Sequence, residues 1–279
     1  MRIIKCLFWN LNKKNLVQEL MEIVLENNSD IIMAVEAENL DTQYLLSGLR
    51  RQGKVFDKKE MLPKGNGMML FAAESIAISV YREEKYFAAY KVHENGKNRL
   101  LVMVHLTSAM YCGEFGRNQR ANDLSKTISK LEEFCNIEAE KAGEEKYDTI
   151  VAGDFNLHPF SAGMIGMHGF NAVMDPNRAL KESRTWNGNK LKFYYNPMWN
   201  LMGKWDKVLG TYYFEHDQDD NSFYWYTFDQ VLIRPELIDS FVWDEFGIVD
   251  HVEKASLLKN NKIYNTKYSD HLPIKFAIS

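Results

Sequence analysis

"YDTIVAGDFN", residues 147–156, reads as a short apolar strand that stops at a carboxylate, Asp154, with Asn156 two residues on. Before it, Leu124, Ile128, Leu131 and Phe134 recur at helical spacing and predict a helix from about Asn118 to Lys141. Further upstream four β-like runs follow one another closely: "GMMLFA" (67–72), "SIAISVY" (75–81), "YFAAYKV" (86–92) and "RLLVMVHLT" (99–107). Downstream, "SFYWYTFDQVLIRP" (222–235) is one long strand or a bent pair that Pro235 ends, and "LPIKFAIS" (272–279) is a last strand. Several of these runs are apolar on both faces, as expected where a sheet packs against another sheet on one side and helices on the other.

The N-terminal stretch has its own logic. "RIIKCLFW" (2–9) is a strand that stops at Asn10. Leu16, Leu20, Ile23 and Val24 then share one helical face, with Asn15 as the expected cap and Gln18 approximating a capping box. "DIIMAVE" (30–36) follows as a second strand running into Glu36, which makes a βαβ-type start. The pattern is an α/β or α+β sandwich whose topology the pattern alone leaves open.

The 279 residues are 46% hydrophobic, with no linker, repeat or low-complexity block, so a single domain over 1–279 is expected. The formal net charge of -4 argues against tight, passive nucleic-acid binding, because phosphate neutralisation supplies most non-specific affinity. Local basic patches such as Lys13–Lys14 or Lys58–Lys59 remain open. Cys6, Cys112 and Cys135 are odd in number and lack paired spacing, which disfavours a disulfide framework or a zinc site. No signal peptide or membrane span is read, and the expected location is cytoplasmic.

Polar residues gather where strands end: Asn10 and Asn12, Glu36, His105, Asp154 and Asn156, Asp229, and the pair Asp270–His271. Singly, each is an ordinary turn former. Together they supply four carboxylates, two imidazoles and several amides. Carboxylates converging on one cleft repel unless a cation sits among them or they take distinct jobs. Oxygen donors favour a hard ion such as Mg²⁺, which leaves coordination positions for phosphate oxygens. Imidazoles move protons near neutral pH.

The blocks "FWNLN", "DIIMAVEAE", "VMVHL", "VAGDFN", "TFDQVLI" and "YSDHLPI", in that order from Phe8 to Ile274, resemble the endonuclease/exonuclease/phosphatase superfamily, the deoxyribonuclease-I-like proteins. The resemblance implies a four-layered α/β sandwich, two mostly antiparallel sheets packed face to face with helices outside. It also implies roles. Glu36 binds the essential divalent cation, with Asn10 beside it and Asp270 near the metal directly or through water. Asp154 orients or deprotonates the attacking water, and Asn156 contacts the phosphate. His271 contacts the scissile phosphate and is oriented by Asp229. His105 binds phosphate or assists the leaving group. Asn12 stands where some abasic-site nucleases carry an acidic residue, which argues against a second metal position. His105 lacks the usual acidic partner, and Lys64 and Asn66 lie nearby in sequence instead.

The function expected is divalent-metal-dependent phosphodiester hydrolysis with Mg²⁺, or Mn²⁺ as substitute, on nucleic acid. The alternatives are a phosphatase or phosphodiesterase for an inositol phosphate, nucleotide or lipid headgroup, and a catalytically silent phosphate-binding module. The aromatic-rich stretch from Phe193 to Tyr226 is read mainly as packing, with base stacking as the functional alternative. "EHDQDDN" (215–221) is expected to be a solvated hairpin tip. Lys13, Lys14, Arg117 and Arg120 are candidate phosphate contacts.

Overall fold

The computed structural model describes residues 2–60, 67–203, 205–215, 222–253 and 255–279. Contacts divide the chain into two compact units. One comprises Met1–Ile78, Leu201–Asp229 and Val242–Ser279; the other comprises Ser79–Asn200 and Gln230–Phe241.

The first unit is built on a six-stranded sheet. Strand β1 (Ile4–Asn10) pairs in parallel with β2 (Ile31–Val35), and helix α1 (Val17–Glu26) makes the crossover, as the βαβ reading predicts. β1 pairs on its other side, antiparallel, with Ile274–Ile278, so that Ile4 faces Ile278. β3 (Phe56–Lys58) and β4 (Met69–Ala73) extend the sheet beyond β2, both pairings antiparallel. Leu20, Ile23 and Val24 of α1 and Leu45 and Leu49 of helix α2 (Thr42–Arg51) pack with Leu7, Trp9, Ile32, Ala34 and Phe71 in one buried cluster. Full burial of each such side chain contributes about 1.5–3 kcal/mol.

The expected cap of α1 is corrected. Leu16 occupies the cap position without a side-chain bond, and the Asn15 amide oxygen accepts instead from the Asp41 backbone N–H at 3.1 Å. The cause is the tight turn before the helix. Asn12 and Lys13 take left-handed backbone (φ 47° and 55°), which delays the helix to Val17.

The second unit carries a seven-stranded sheet. In it β5 (Ala77–Glu83), β6 (Phe87–Glu94), β7 (Lys97–His105) and β8 (Tyr147–Asp154) are neighbours in that order, followed by Asp229–Ile233, Tyr194–Tyr195 and Ala172–Val173. β7 and β8 are parallel, which places His105 opposite Asp154 and Val104 opposite Gly153. The glycine is required there: a Cβ would lie 2.0 Å from the Val104 carbonyl oxygen.

Helix α3 (Glu114–Ala142) lies over this sheet and starts four residues before the expected Asn118. Ala121, Leu124, Ile128, Leu131, Cys135 and Ala139 form its buried stripe. Phe134, expected in that stripe, is 57% exposed; Cys135, about 100° further round the helix, takes its place. The region 222–235 is a bent pair, Trp225–Tyr226 and Asp229–Ile233, and Pro235 opens a 3₁₀ turn. Among the described residues no helix is long and apolar enough to cross a membrane.

Candidate active site

Strand ends and the loops just beyond them hold the expected polar residues, in two groups, one in each unit. In the first unit Asn10 closes β1 and Glu36 follows the last residue of β2. Glu36 has left-handed backbone (φ 47°), a rare conformation for a residue with a Cβ, which turns the chain sharply as it leaves the sheet. The Asn10 side chain is oriented by chemistry: its oxygen accepts from the Asn12 backbone N–H at 2.9 Å, so its NH₂ faces Glu36 Oε1 at 3.4 Å. Asn10 thus holds the Glu36 carboxylate through a donor.

The "YSDH" segment is anchored to the same strand end. The Ser269 hydroxyl donates to the Asn10 carbonyl (2.6 Å) and accepts from the His271 backbone N–H (3.1 Å). The Trp9 indole N–H donates to the His271 carbonyl at 2.9 Å. These bonds fix His271, whose Nδ1 lies 2.8 Å from Asp229 Oδ2. Asp229 is fully buried and His271 is 6% exposed. A carboxylate only accepts, so the ring carries N–H on Nδ1 and turns Nε2 to its other edge. Thr211 sets Asp229 in place: its hydroxyl accepts from the backbone N–H groups of Phe228 (3.2 Å) and Asp229 (3.1 Å). Tyr212 packs on the imidazole with ring centroids 4.8 Å apart. Asp270 is half-buried, its carboxylate 3.4 Å from the Ser269 hydroxyl.

In the second unit Asp154 ends β8, 1% exposed. Asn156 has left-handed backbone (φ 48°), and this folds it back onto the carboxylate. Its backbone N–H donates to Asp154 Oδ1 (2.8 Å), and its side-chain NH₂ donates to Asp154 Oδ2 (3.0 Å) and to the Leu106 carbonyl (2.9 Å). An anionic side chain so buried needs such donors, and each charge-assisted bond is stronger than a neutral one. His105 closes β7 beside Asp154, half-buried, its backbone N–H donating to the Tyr86 carbonyl at 3.0 Å.

The looser candidates divide. Lys14 is tied to the Asn265 and Tyr268 carbonyls, whereas Lys13 is exposed next to the Glu36 backbone. Arg120 is bonded to the Tyr86 hydroxyl and stacks over that ring. Lys58 and Lys59 are paired with Glu60 and Asp57, so they form no free basic patch. Lys64, Asn66 and most of "EHDQDDN" lie outside the described residues. Of the aromatic stretch, Phe193, Tyr194 and Tyr195 are buried packing, and Trp205 is 93% exposed. Ser269, Thr211 and Tyr212 were not singled out from sequence. Ser269 had a signal, its place two residues before His271, and Tyr212 lies in the aromatic-rich stretch read mainly as packing, which is what it does against the imidazole; Thr211 had none, because it acts through hydrogen bonds from a distant segment.

No protein-family model matches the chain, and no curated protein does. Solved structures do. A humanized Danio rerio (D. rerio) TDP2 superposes with a TM-score of 0.57 at 16% identity over 99% of each chain, and D. rerio TDP2 complexed with a single-strand DNA product at 0.57, 15% and 100% of each. The human nocturnin catalytic domain with bound sulfate gives 0.54 at 15%, covering 99% of this chain and 94% of that one. An AP endonuclease from Archaeoglobus fulgidus gives 0.53 at 14% over 99% of each. The chain therefore has the deoxyribonuclease-I-like α/β sandwich fold that its motifs implied.

Proposed function

We propose that this chain is a divalent-metal-dependent phosphodiester hydrolase, a nuclease. The observation that carries the reading is the buried His271–Asp229 pair, held by Trp9, Ser269 and Thr211. A histidine fixed this closely presents one ring nitrogen in a set tautomer, suited to bind a phosphate oxygen or carry a proton. The similarity to a TDP2 complexed with single-strand DNA and to an AP endonuclease supports nucleic acid as the substrate.

The donors of the first unit suit a hard cation. Glu36 and Asp270 offer carboxylate oxygens, and the Asn10 amide hydrogens steady Glu36. In this reading Glu36 is the principal ligand for Mg²⁺, with Mn²⁺ a substitute, and Asp270 contributes directly or through water. Such an ion, when bound, polarises a phosphate oxygen and steadies the leaving oxygen. The resemblance assigns Asp154 and Asn156 to the same reaction. Asp154, held by two donors of Asn156, orients and deprotonates the attacking water, and Asn156 contacts the phosphate. His271 contacts the phosphate group and takes up or passes on a proton through Nε2, and His105 serves the leaving group.

The test is a panel of single- and double-stranded DNA, RNA, bis-p-nitrophenyl phosphate and p-nitrophenyl phosphate, with Mg²⁺, Mn²⁺ or EDTA. Metal-dependent cleavage of nucleic acid and the diester is expected, lost in Asp154→Ala and His271→Ala. Turnover of monoesters alone favours the small-substrate phosphatase. No turnover of any substrate, or full activity in either variant, overturns the proposal.

A further inference from the structure

The second unit contains a cavity of about 700 Å³ between α3, the loop around Gly169 and the Ser183–Lys192 hairpin, lined in part by Lys126, Lys130, Lys146, Lys190 and Lys192. Its floor is prebuilt. Glu132, 4% exposed, bonds the Thr149 hydroxyl (3.1 Å), Arg234 Nε (2.8 Å) and Lys192 Nζ (2.7 Å). These cations outweigh the cost of burial and hold its carboxyl below the usual range, so it stays ionised and neutralises Arg234. Arg234 in turn stacks on the Tyr194 ring at 3.7 Å. Asn171 donates to the Leu191 and Lys192 carbonyls, which pins the lysine-bearing hairpin at the mouth.

The charge of the rim is not used within the fold. Among the described residues Lys126, Lys130, Lys146 and Lys190 have no ion-pair partner, although the chain as a whole is acidic at -4. Of the acidic residues lining the cavity, Glu132 is already committed, leaving Glu133 and Glu140 against these four lysines. Along α3, Ser125, Ser129, Glu132 and Asn136 line the same cavity as a polar stripe held by the fold itself, Ser125 donating to the Gly169 carbonyl (2.7 Å), Ser129 to the Ser125 carbonyl (2.9 Å) and Asn136 accepting from the Tyr147 N–H (2.7 Å). Thr149 stands five residues before Asp154 on β8, roughly 16 Å along the strand, so the cavity lies well away from that carboxylate.

We propose that this cavity is a second ligand site that takes a small anion bearing more than one phosphate group. Its volume falls within the range of about 300–1,000 Å³ usual for small-molecule sites, and its concave form distinguishes it from the open stripe that tracks a nucleic-acid backbone. The lysines supply long-range attraction and point-charge contacts, and the Glu132–Arg234–Lys192 network fixes the floor.

The probe is inorganic pyrophosphate, titrated calorimetrically into the full chain at low salt with EDTA present. One saturable site is expected. Lys130→Gln with Lys190→Gln should weaken it about tenfold or more, since both charges face the cavity. Lys207→Gln with Lys259→Gln, which removes the same charge from the first unit, should leave it unchanged, as should His271→Ala. Absence of binding, equal loss in both double variants, or loss in His271→Ala overturns the proposal. So does a twelve-nucleotide single-stranded DNA that depends on Lys130 and Lys190 when pyrophosphate does not.

Discussion

Asp229→Asn changes the histidine pair with almost no change in volume. The Thr211 hydroxyl holds the backbone of residues 228 and 229, so the new side chain starts from the same place. What is lost is the charge on a fully buried acceptor 2.8 Å from His271 Nδ1. A hydrogen bond to a charged group contributes about 1.5–3 kcal/mol and a neutral one about 0.5–1.5, so the stability cost is roughly 1–1.5 kcal/mol. For a chain of this size that lowers Tm by only a few degrees, about 2–4 °C per kcal/mol. The catalytic cost is larger. An amide can turn its NH₂ to the ring, forcing the proton to Nε2, where the reaction needs an acceptor or a mobile proton. A loss of about 10²–10⁴ in kcat is expected. The assay is single-turnover cleavage of a labelled oligonucleotide with a thermal melt of the same preparation. Wild-type kcat in a folded Asp229→Asn protein would refute the tautomer reasoning. A fall in Tm beyond about 10 °C would show instead that Asp229 is a scaffold residue whose charge the fold cannot lose.

Gly153→Ala should destabilise by about 1–3 kcal/mol, read from the denaturant midpoint, because the new methyl meets the Val104 backbone at 2.0 Å; an unchanged midpoint contradicts the close approach of β7 and β8. Burial, with Glu236 nearby, pushes the Asp148 carboxyl up to about 6 against the opposing pull of Arg99. The folded state therefore binds the extra proton between about pH 4 and 6, and stability falls as pH rises through that window. Asp148→Asn should gain roughly 1–2 kcal/mol at pH 7.5, after allowance for partial exposure, and nothing near pH 4; melts across that range check the sign. Glu36→Gln should weaken the Mg²⁺ midpoint for activity and recover in part with excess Mg²⁺ or with Mn²⁺, while Asp154→Asn should not recover. Equal recovery of the two in a metal titration contradicts the separate roles.

Strand positions were readable because apolar runs such as Ile31–Val35 and Tyr147–Asp154 are continuous and end at polar residues that fall at the strand ends. The motifs on which the resemblance rests carried the candidate residues, since "GDFN" and "YSDH" are local signals. What escaped has a common cause. Past the left-handed turn at Asn12 and Lys13 the Asn15 amide bonds Asp41 and not the helix end, and Thr211 comes to Asp229 from an earlier loop; both are tertiary hydrogen bonds that no spacing encodes. The lysine-rimmed cavity was invisible for the same reason, because Lys130 and Lys190 are far apart in sequence and each resembles a solvated surface charge. Phe134 was misplaced by one helical position, an error that a helix of this length and mixed polarity does little to correct.

The pairing of Ile4 with Ile278 has a consequence for biosynthesis. The strand Ile4–Asn10 lies inside its sheet, between β2 and Ile274–Ile278. One of its edges must stay open until residue 278 has left the ribosome, a wait of tens of seconds at roughly 5–20 residues per second. Through that interval an apolar strand shows an unpaired row of backbone donors and acceptors, the kind of edge that recruits strands from other chains. The nascent chain is thus expected to depend on a holdase, and slowing translation should lower the yield of folded protein. His271 sits just before the closing strand, so the site's histidine comes into place only as that edge is sealed.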